Sequence, residues 1–161
     1  MTSQLTTAVP AGFPAPGQST VHRRLLDAIV AGTVPIPPYI RRLALPSPTE
    51  WSPGRVVGAT VLSQELMWRE GVVFGGYAGC LTDLFAGLAM TTVLPSSASF
   101  LTTGLAMEFR ARLTSGATDI EATVCELSAT KATVEVLVRQ RDLVTSRGTV
   151  TQIILNGGDE S

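Results

Sequence analysis

One segment of the sequence constrains the fold more than any other. From Gly71 to Met107 the chain carries a single charged residue, Asp83. Residues 76–93 within it are apolar on every face, which predicts a helix that other structure must wrap. A lone carboxylate in such a segment is costly to bury unless it is neutralised, hydrogen-bonded or used. Asp83 is therefore the first candidate for chemistry.

Composition narrows the class of protein. With 161 residues, the chain fits one domain with a single core. The net charge of -1 leaves no basic stripe to neutralise phosphates, so a nucleic-acid partner is not expected. Charged residues make up only 16% of the chain, which predicts that a partner subunit covers part of the surface. We expect a homo-oligomer, either a dimer or a dimer of dimers.

The sequence also predicts the cellular location of the protein. Residues 1–18 have no basic or apolar region of a secretory signal, and their Pro, Gly, Ser and Thr content predicts a flexible tail. Cys80 and Cys125 lack metal or redox spacing and are expected to be buried thiols in a reducing compartment. A membrane span over 72–93 is disfavoured by the cost of Asp83 at its middle. We therefore expect a cytoplasmic protein that does not cross a membrane.

Local signals predict an α+β domain over residues 19–157, with 158–161 as a frayed end. A short amphipathic helix begins at Ser19 or Thr20, and prolines then predict an extended connector. Alternating residues after the central helix predict an antiparallel meander, with a turn at 114–116. The predicted strands are residues 55–62, 101–113, 119–127, 131–141 and 147–155. Together they form a curved sheet wrapped around the central apolar helix.

The segment that runs Gly71-Val-Val-Phe-Gly-Gly-Tyr-Ala-Gly-Cys-Leu-Thr-Asp83 resembles a known motif. It is similar to the G-x-x-H-G-G-x-x-x-x-L-x-D signature of hotdog-fold acyl-CoA thioesterases of the phenylacetate-pathway type. The resemblance extends over about residues 35–155, including Thr102–Gly116 and Arg139–Leu155. It implies a hotdog fold and hydrolysis of an acyl or aroyl thioester of coenzyme A or acyl carrier protein. It implies no metal and no cofactor.

The resemblance also assigns roles within the motif. It implies that the Gly75 N–H forms the oxyanion hole, and that Asp83 of the partner subunit acts as nucleophile or general base. The residues fit these roles, because the Gly75-Gly76 pair lets a ligand approach free N–H groups at a helix start. A thioester substrate also fits a site with so few catalytic groups, because the thiolate can leave without protonation by a strong general acid. The alternative is that Asp83 is a buried capping or interface carboxylate.

The motif departs from the family at two positions. Phe74 stands where the family has His, and Trp68 aligns with an Asn. The two aromatic side chains either line an acyl or aromatic pocket, or they fill the core, or they mark a site that has lost activity. Thr102 aligns with a Ser or Thr that positions water in relatives, although a threonine is also simply common in strands. A second hypothesis is therefore a hotdog protein that binds acyl thioesters without turnover.

The single histidine of the chain limits which kinds of catalytic and metal site are expected. His22 is the only histidine and belongs to the N-terminal helix, where we expect it to be solvated. The motif therefore has no Ser-His-Asp or Cys-His pair, and no histidine-based zinc site is expected.

Arginines form the last group of candidates. Arg110 and Arg112 share one strand face, and Arg139 and Arg141 share another, so they are candidates to bind the phosphates of coenzyme A. The alternative is cross-strand ion pairing of these arginines with Asp119, Glu121 and Glu135. The turn at 114–116 would place Arg110 and Arg112 near Asp119 and Glu121.

Overall fold

The structure is a computed structural model that describes residues 9–68 and 71–156. The first part holds helices α1 (Val21–Val30) and α2 (Pro38–Arg42), strands β1 (Glu50–Ser52) and β2 (Arg55–Leu62), and a short 3-10 helix (Gln64–Leu66). The second part holds helix α3 (Gly75–Thr91) and strands β3 (Ala98–Phe109), β4 (Gly116–Leu127), β5 (Lys131–Gln140) and β6 (Leu143–Asn156). Among the described residues, no helix is long and apolar enough to cross a membrane.

The six strands form one antiparallel sheet in the order β1-β2-β4-β5-β6-β3. The predicted meander is right for β4, β5 and β6 and wrong for β3. Strand β3 pairs with β6, while β2 takes the place beside β4. The segment at 114–116 therefore joins two strands that are not neighbours. A turn signal marks where the chain bends but does not select the strand that pairs next.

Helix α3 lies in the concave side of the sheet and packs against β2, β3, β4, β5 and β6. Its fully buried side chains include Leu81, Phe85 and Met90. They meet the inward rows of the central strands, in which Val124, Val134, Val136, Val138 and Val150 are fully buried. The hotdog fold expected from the motif is confirmed: an α+β domain with an antiparallel sheet curved around a central apolar helix.

One face of α3 is built for close contact with β3. Gly75, Gly79, Asp83 and Gly87 recur every fourth residue and so lie in one row along the helix. A Cβ atom placed on Gly75 would lie 3.3 Å from the Phe109 ring, and one placed on Gly87 would lie 3.3 Å from the Phe100 ring. A Cβ atom placed on Gly79 would lie 3.8 Å from the Leu105 side chain. Asp83 is therefore the only residue of this glycine row with a side chain.

A β-bulge in β3 decides which of its side chains meet this row. The register against β6 shifts between Thr102 and Gly104, which makes Thr103 the extra residue. Before the bulge, Phe100 and Thr102 face α3, whereas Leu105 and Phe109 face it afterwards. Because strand side chains alternate with a period of two, a single extra residue is enough to make this change.

The connector predicted to be extended contains α2, so that prediction was wrong over 38–42. Pro38 stands in the first turn of the helix, where its missing N–H costs no hydrogen bond and its fixed φ suits the helix. The end of α2 is tied to α3, because the Tyr77 hydroxyl donates to the Ala44 carbonyl at 2.6 Å. This contact holds the connector beside the central helix.

The N-terminal segment is also tied to α3 over its described part. The buried Arg23 guanidinium donates to the carbonyls of Thr92, Ala15, Pro16 and Gln18. Burial lowers the pKa of Arg23. His22, expected to be solvated, is half-buried, and its Nε2 lies 3.1 Å from the carbonyl oxygens of Pro95 and Ala98. Of the tail predicted over 1–18, residues 1–8 lie outside the described residues, and residues 15–18 contact the body.

The packing beneath α3 gives a stability prediction. A Cβ on Gly58 of β2 would lie 2.4 Å from the fully buried Phe85 ring. Gly58→Ala should therefore lower the free energy of unfolding by about 1–3 kcal/mol through overpacking. Urea unfolding followed by circular dichroism measures the change. Gly17→Ala is the control, because no atom lies within 4 Å of its Cβ position. Equal stability of the two variants would contradict this account of the packing.

Candidate active site

Asp83 projects from the third turn of α3 and is exposed on the single chain. Its Oδ1 atom accepts a hydrogen bond from the Thr102 hydroxyl at 2.9 Å. Thr102 comes from β3, just before the bulge. The structure therefore brings together two of the residues that the sequence singled out. A hydroxyl donor on one oxygen orients the carboxylate.

Gln152 extends this contact into the core, and no sequence pattern singles it out. It lies opposite Thr102 in the β3–β6 pair and is fully buried. Its Nε2 atom lies 3.5 Å from the Thr102 Oγ1 atom, at the long limit of a hydrogen bond. Its Oε1 atom has no partner within the part of the chain that the structure describes. Gln152, Thr102 and Asp83 thus form a line of polar groups from the core to the surface.

The start of α3 offers two free donors. The Phe74 N–H is bonded to the Leu66 carbonyl and the Tyr77 N–H to the Phe74 carbonyl. The N–H groups of Gly75 and Gly76 have no acceptor among the described residues, and no side chain caps the helix. A helix N-terminus with free N–H groups attracts negative charge. This end of α3 can therefore hold an oxyanion.

These donors and the carboxylate are too far apart on one chain to act on one carbonyl group. Gly75 and Asp83 are eight residues apart on the same face of α3, and at about 1.5 Å rise per residue this is about 12 Å. A reacting carbonyl must lie about 3 Å from both the donor and the base or nucleophile. The single chain therefore presents the two predicted catalytic groups as separate half-sites.

Two cavities meet at Asp83. The first, the Asp83 cavity, measures about 390 Å³ and runs along α3 from Cys80 to Thr91, with Phe100 and Thr102 of β3 on one side. The second is a shallow open face of about 680 Å³ that follows the glycine row. Its lining consists of Gly75, Gly76, Gly79, Cys80, Asp83, Leu105, Met107 and Phe109. Cys80 and Asp83 line both, so the two are continuous.

Phe74 and Trp68 lie outside the core. Their exposed fractions are 62% and 68%, so the alternative that they fill the core is wrong. The Phe74 ring folds over the helix start, because a Cβ on Gly76 would lie 2.5 Å from it. Neither aromatic side chain lines the two cavities at Asp83. The structure places Phe74 beside the free N–H groups instead.

The candidate arginines differ in their surroundings. Arg110 pairs with Glu108 at 2.8 Å, not with Asp119 or Glu121, because β3 does not lie beside β4. Hydrogen bonding to Arg110 lowers the pKa of Glu108. Arg139 forms an ion pair with Glu121 at 2.9 Å, which agrees with the alternative that the arginines pair with acidic residues. Arg110 and Arg112 line a cavity of about 370 Å³ that also reaches Gly75.

Comparison with known proteins identifies the family that this arrangement resembles. Residues 70–146 match the family model described as the Thioesterase superfamily. The resemblance to hotdog thioesterases is confirmed. The matched part begins just before the Gly71–Asp83 motif and ends within β6, so it includes the helix start, Asp83 and Thr102. No curated protein matches the chain.

Solved structures share the fold. A phenylacetic acid degradation-related protein of Ralstonia eutropha is 19% identical with a TM-score of 0.71, over 80% of this chain and 98% of that one. A Streptococcus mutans protein bound to acetyl CoA is 19% identical with a TM-score of 0.62, over 68% and 87%. A hypothetical thioesterase protein of Streptococcus pneumoniae with coenzyme A is 17% identical with a TM-score of 0.62, over 68% and 84%. At these identities, the likeness shows the fold.

The arginine pairs give a prediction on acid stability. Burial raises the pKa of Glu121, but hydrogen bonds from Arg55 and Arg139 outweigh it and the pKa is lowered. The carboxylate therefore stabilises the fold above the ordinary pKa of glutamate, and this contribution is lost as the pH falls through the lowered pKa. Glu121→Gln should cost roughly 1–2 kcal/mol near neutral pH and flatten the acid loss of stability.

Urea midpoints measured from about pH 7 to about pH 3 check this expectation. Glu65→Gln is the matched control, because Glu65 is exposed and forms no ion pair in the described structure. A Glu121→Gln protein with the acid dependence of the parent would remove Glu121 as the source of the effect.

Proposed function

We propose that this protein is a thioester hydrolase whose active site forms between two subunits. Asp83 of one subunit acts on a thioester carbonyl held by the Gly75 and Gly76 N–H groups of the other. The observation that supports it most directly is the separation of about 12 Å between these groups on one helix. They lie on one open apolar face, and neither half is sufficient for the chemistry.

The edge of the sheet supports the assembly. Strand β3 is the last in the sheet, so the backbone groups of its outer side have no neighbouring strand within residues 9–68 and 71–156. Leu101, Leu105 and Phe109 of this strand are exposed large apolar side chains. A long apolar edge is an aggregation hazard unless it is covered. A twofold axis beside β3 would set two α3 helices antiparallel and place each Gly75 towards the partner's Asp83.

The chemistry needs few groups. The Asp83 carboxylate either attacks the thioester carbon or takes a proton from the attacking water. Negative charge then develops on the carbonyl oxygen, where the free N–H groups at the start of α3 stabilise it. The carbon–sulfur bond breaks as the thiolate leaves, and direct attack by Asp83 gives an acyl anhydride that water hydrolyses. Thr102 orients the carboxylate throughout.

The surroundings of the helix start indicate which carrier holds the acyl group. Two of the similar structures hold coenzyme A or acetyl CoA. Arg110 and Arg112 line the cavity that reaches Gly75, where they can bind the phosphates of coenzyme A. The Phe74 ring over Gly76 supplies an apolar wall for the thioester. We therefore favour coenzyme A over acyl carrier protein as the carrier.

A binding protein without turnover is the second candidate. It is favoured by the replacement of the family's polar His and Asn by Phe74 and Trp68. The same dimer and cavities would then hold an acyl thioester, and Asp83 would serve as an interface carboxylate.

Substitution of Asp83 separates these two functions. Asp83→Asn keeps the size of the side chain but removes its charge, so thioester hydrolysis should fall by roughly 10² or more. Release of coenzyme A from acyl-CoA substrates, followed with a thiol reagent, measures the rate. Asp119→Asn makes the same chemical change at an exposed position of β4 and should leave the rate unchanged. Parent activity in a folded Asp83→Asn protein would exclude the hydrolase mechanism.

The shared site requires a stable assembly. Light scattering at micromolar concentration should give a mass at least twice the 16.9 kDa of the chain. Leu105→Arg places a charge in the open apolar face and should lower both the mass and the hydrolysis rate together. A monomer with full activity would exclude an active site formed between subunits.

A further inference from the structure

A further cavity, separate from the two that meet at Asp83, adjoins the Asp83 cavity and has no part in the mechanism above. It measures about 170 Å³ and lies between α3 and the segment of residues 29–48; we call it the far cavity. Tyr39, Leu84 and Leu88 line both it and the Asp83 cavity. Leu84 and Leu88 are one helical turn apart on α3, and Tyr39 belongs to α2. The two cavities therefore share a wall, formed by these three residues.

The lining of the two cavities selects an apolar occupant. The far cavity has no charged residue, and its walls are mostly aliphatic side chains and prolines. Among the described residues, Asp83 is the only charged one that lines the Asp83 cavity, and it lies at the end where we place the thioester. A molecule that extends away from Asp83 along α3 meets mostly hydrocarbon, from Leu84, Leu88 and Phe100. Burial of apolar surface is the main source of binding free energy in such a site.

The far cavity is built by a part of the chain outside the matched family region. Its walls other than Leu84 and Leu88 come from residues 29–48, whereas the family match begins at residue 70. The Tyr77 bond to the Ala44 carbonyl holds this segment against α3. The segment that shapes the far cavity therefore precedes the region matched by the family model.

We propose that the far cavity holds the distal end of a long, straight acyl chain, and that Tyr39 is a specificity-determining residue between the two cavities. This inference rests on the proposed function, because it takes the reacting carbonyl to lie at Asp83. The Asp83 cavity follows α3 from Cys80 to Thr91, a length of about 16 Å at 1.5 Å per residue. A flexible chain can turn past the exposed Tyr39 side chain into the far cavity, whereas a rigid aromatic acyl group would end before it.

The test uses a series of straight-chain acyl-CoA thioesters from about four to about sixteen carbons. Dissociation constants are measured by calorimetry with Asp83→Asn, and kcat/KM is measured with the parent. Affinity should rise roughly three- to fourfold per added methylene until both cavities are filled. Dissociation constants that stay level beyond the shortest chains would overturn the inference.

Substitutions in the far cavity assign the effect to its walls. Ser47 is exposed and lines only the far cavity, so Ser47→Phe should fill it. The ratio of long-chain to short-chain kcat/KM, and the same ratio of affinities, should fall at least tenfold. Arg42→Phe adds the same ring to α2 outside both linings and should keep the parent ratios. Val34→Phe repeats the test should Ser47→Phe fail to fold.

Tyr39 is tested with the same series. Tyr39→Ala removes the ring between the cavities and should shift the preferred chain length upwards or admit branched chains. Unchanged length preference in both Tyr39→Ala and the filled variants would overturn the proposal.

The two proposals fail in different ways. Affinity that rises with chain length in a protein without hydrolysis would refute the hydrolase function and support the far cavity as an acyl site. Hydrolysis with no dependence on chain length would refute the far cavity and leave the hydrolase function intact.

Discussion

The close approach of α3 to the edge strand β3 is the contact on which the candidate site depends. It is possible because Gly75, Gly79 and Gly87 have no side chains on this face of the helix. A Cβ on Gly75 or Gly87 would lie only 3.3 Å from the Phe109 or Phe100 ring, whereas one on Gly79 would make ordinary contact with Leu105 at 3.8 Å. Asp83 is left as the one residue of the row with a side chain. The same contact brings Thr102 within 2.9 Å of the carboxylate. Larger residues in the row would move β3 outwards and separate Thr102 from Asp83.

The bulge at Thr103 makes this contact compatible with a mostly apolar strand. Strand side chains alternate between the two faces of a sheet. Without the bulge, a strand that presents Thr102 to Asp83 would therefore point Leu105 and Phe109 away from the glycine row. With it, Thr102 faces Asp83 while Leu105 and Phe109 fill the space against Gly79 and Gly75. Gln152, opposite Thr102 on β6, supports the threonine from the buried side. Bulges often redirect side chains next to functional sites, and this one lies beside the candidate site.

The sequence predicted the elements whose signals are local and missed those that depend on pairing. The apolar pattern of 76–93 predicted α3, and the absence of other charges around Asp83 marked the site. The place of β3 beside β6 depends on contacts far apart in sequence, so the partner of Arg110 and the role of Gln152 could not be found from periodicity. Helix α2 replaces the extended connector that the prolines predict, because Pro38 at the first helical position begins a helix instead of breaking one.

The replacement of the family's His by Phe74 changes how the oxyanion would be held. A histidine could orient or donate to the reacting group, whereas Phe74 has no polar atom to offer. Its ring lies over Gly76, next to the two free N–H groups. In the proposed dimer this ring would exclude water from the donors, and electrostatic stabilisation by N–H groups grows as water is removed. The loss of one polar group is then offset by a drier oxyanion hole, so catalysis would rely more heavily on the helix start and on Asp83.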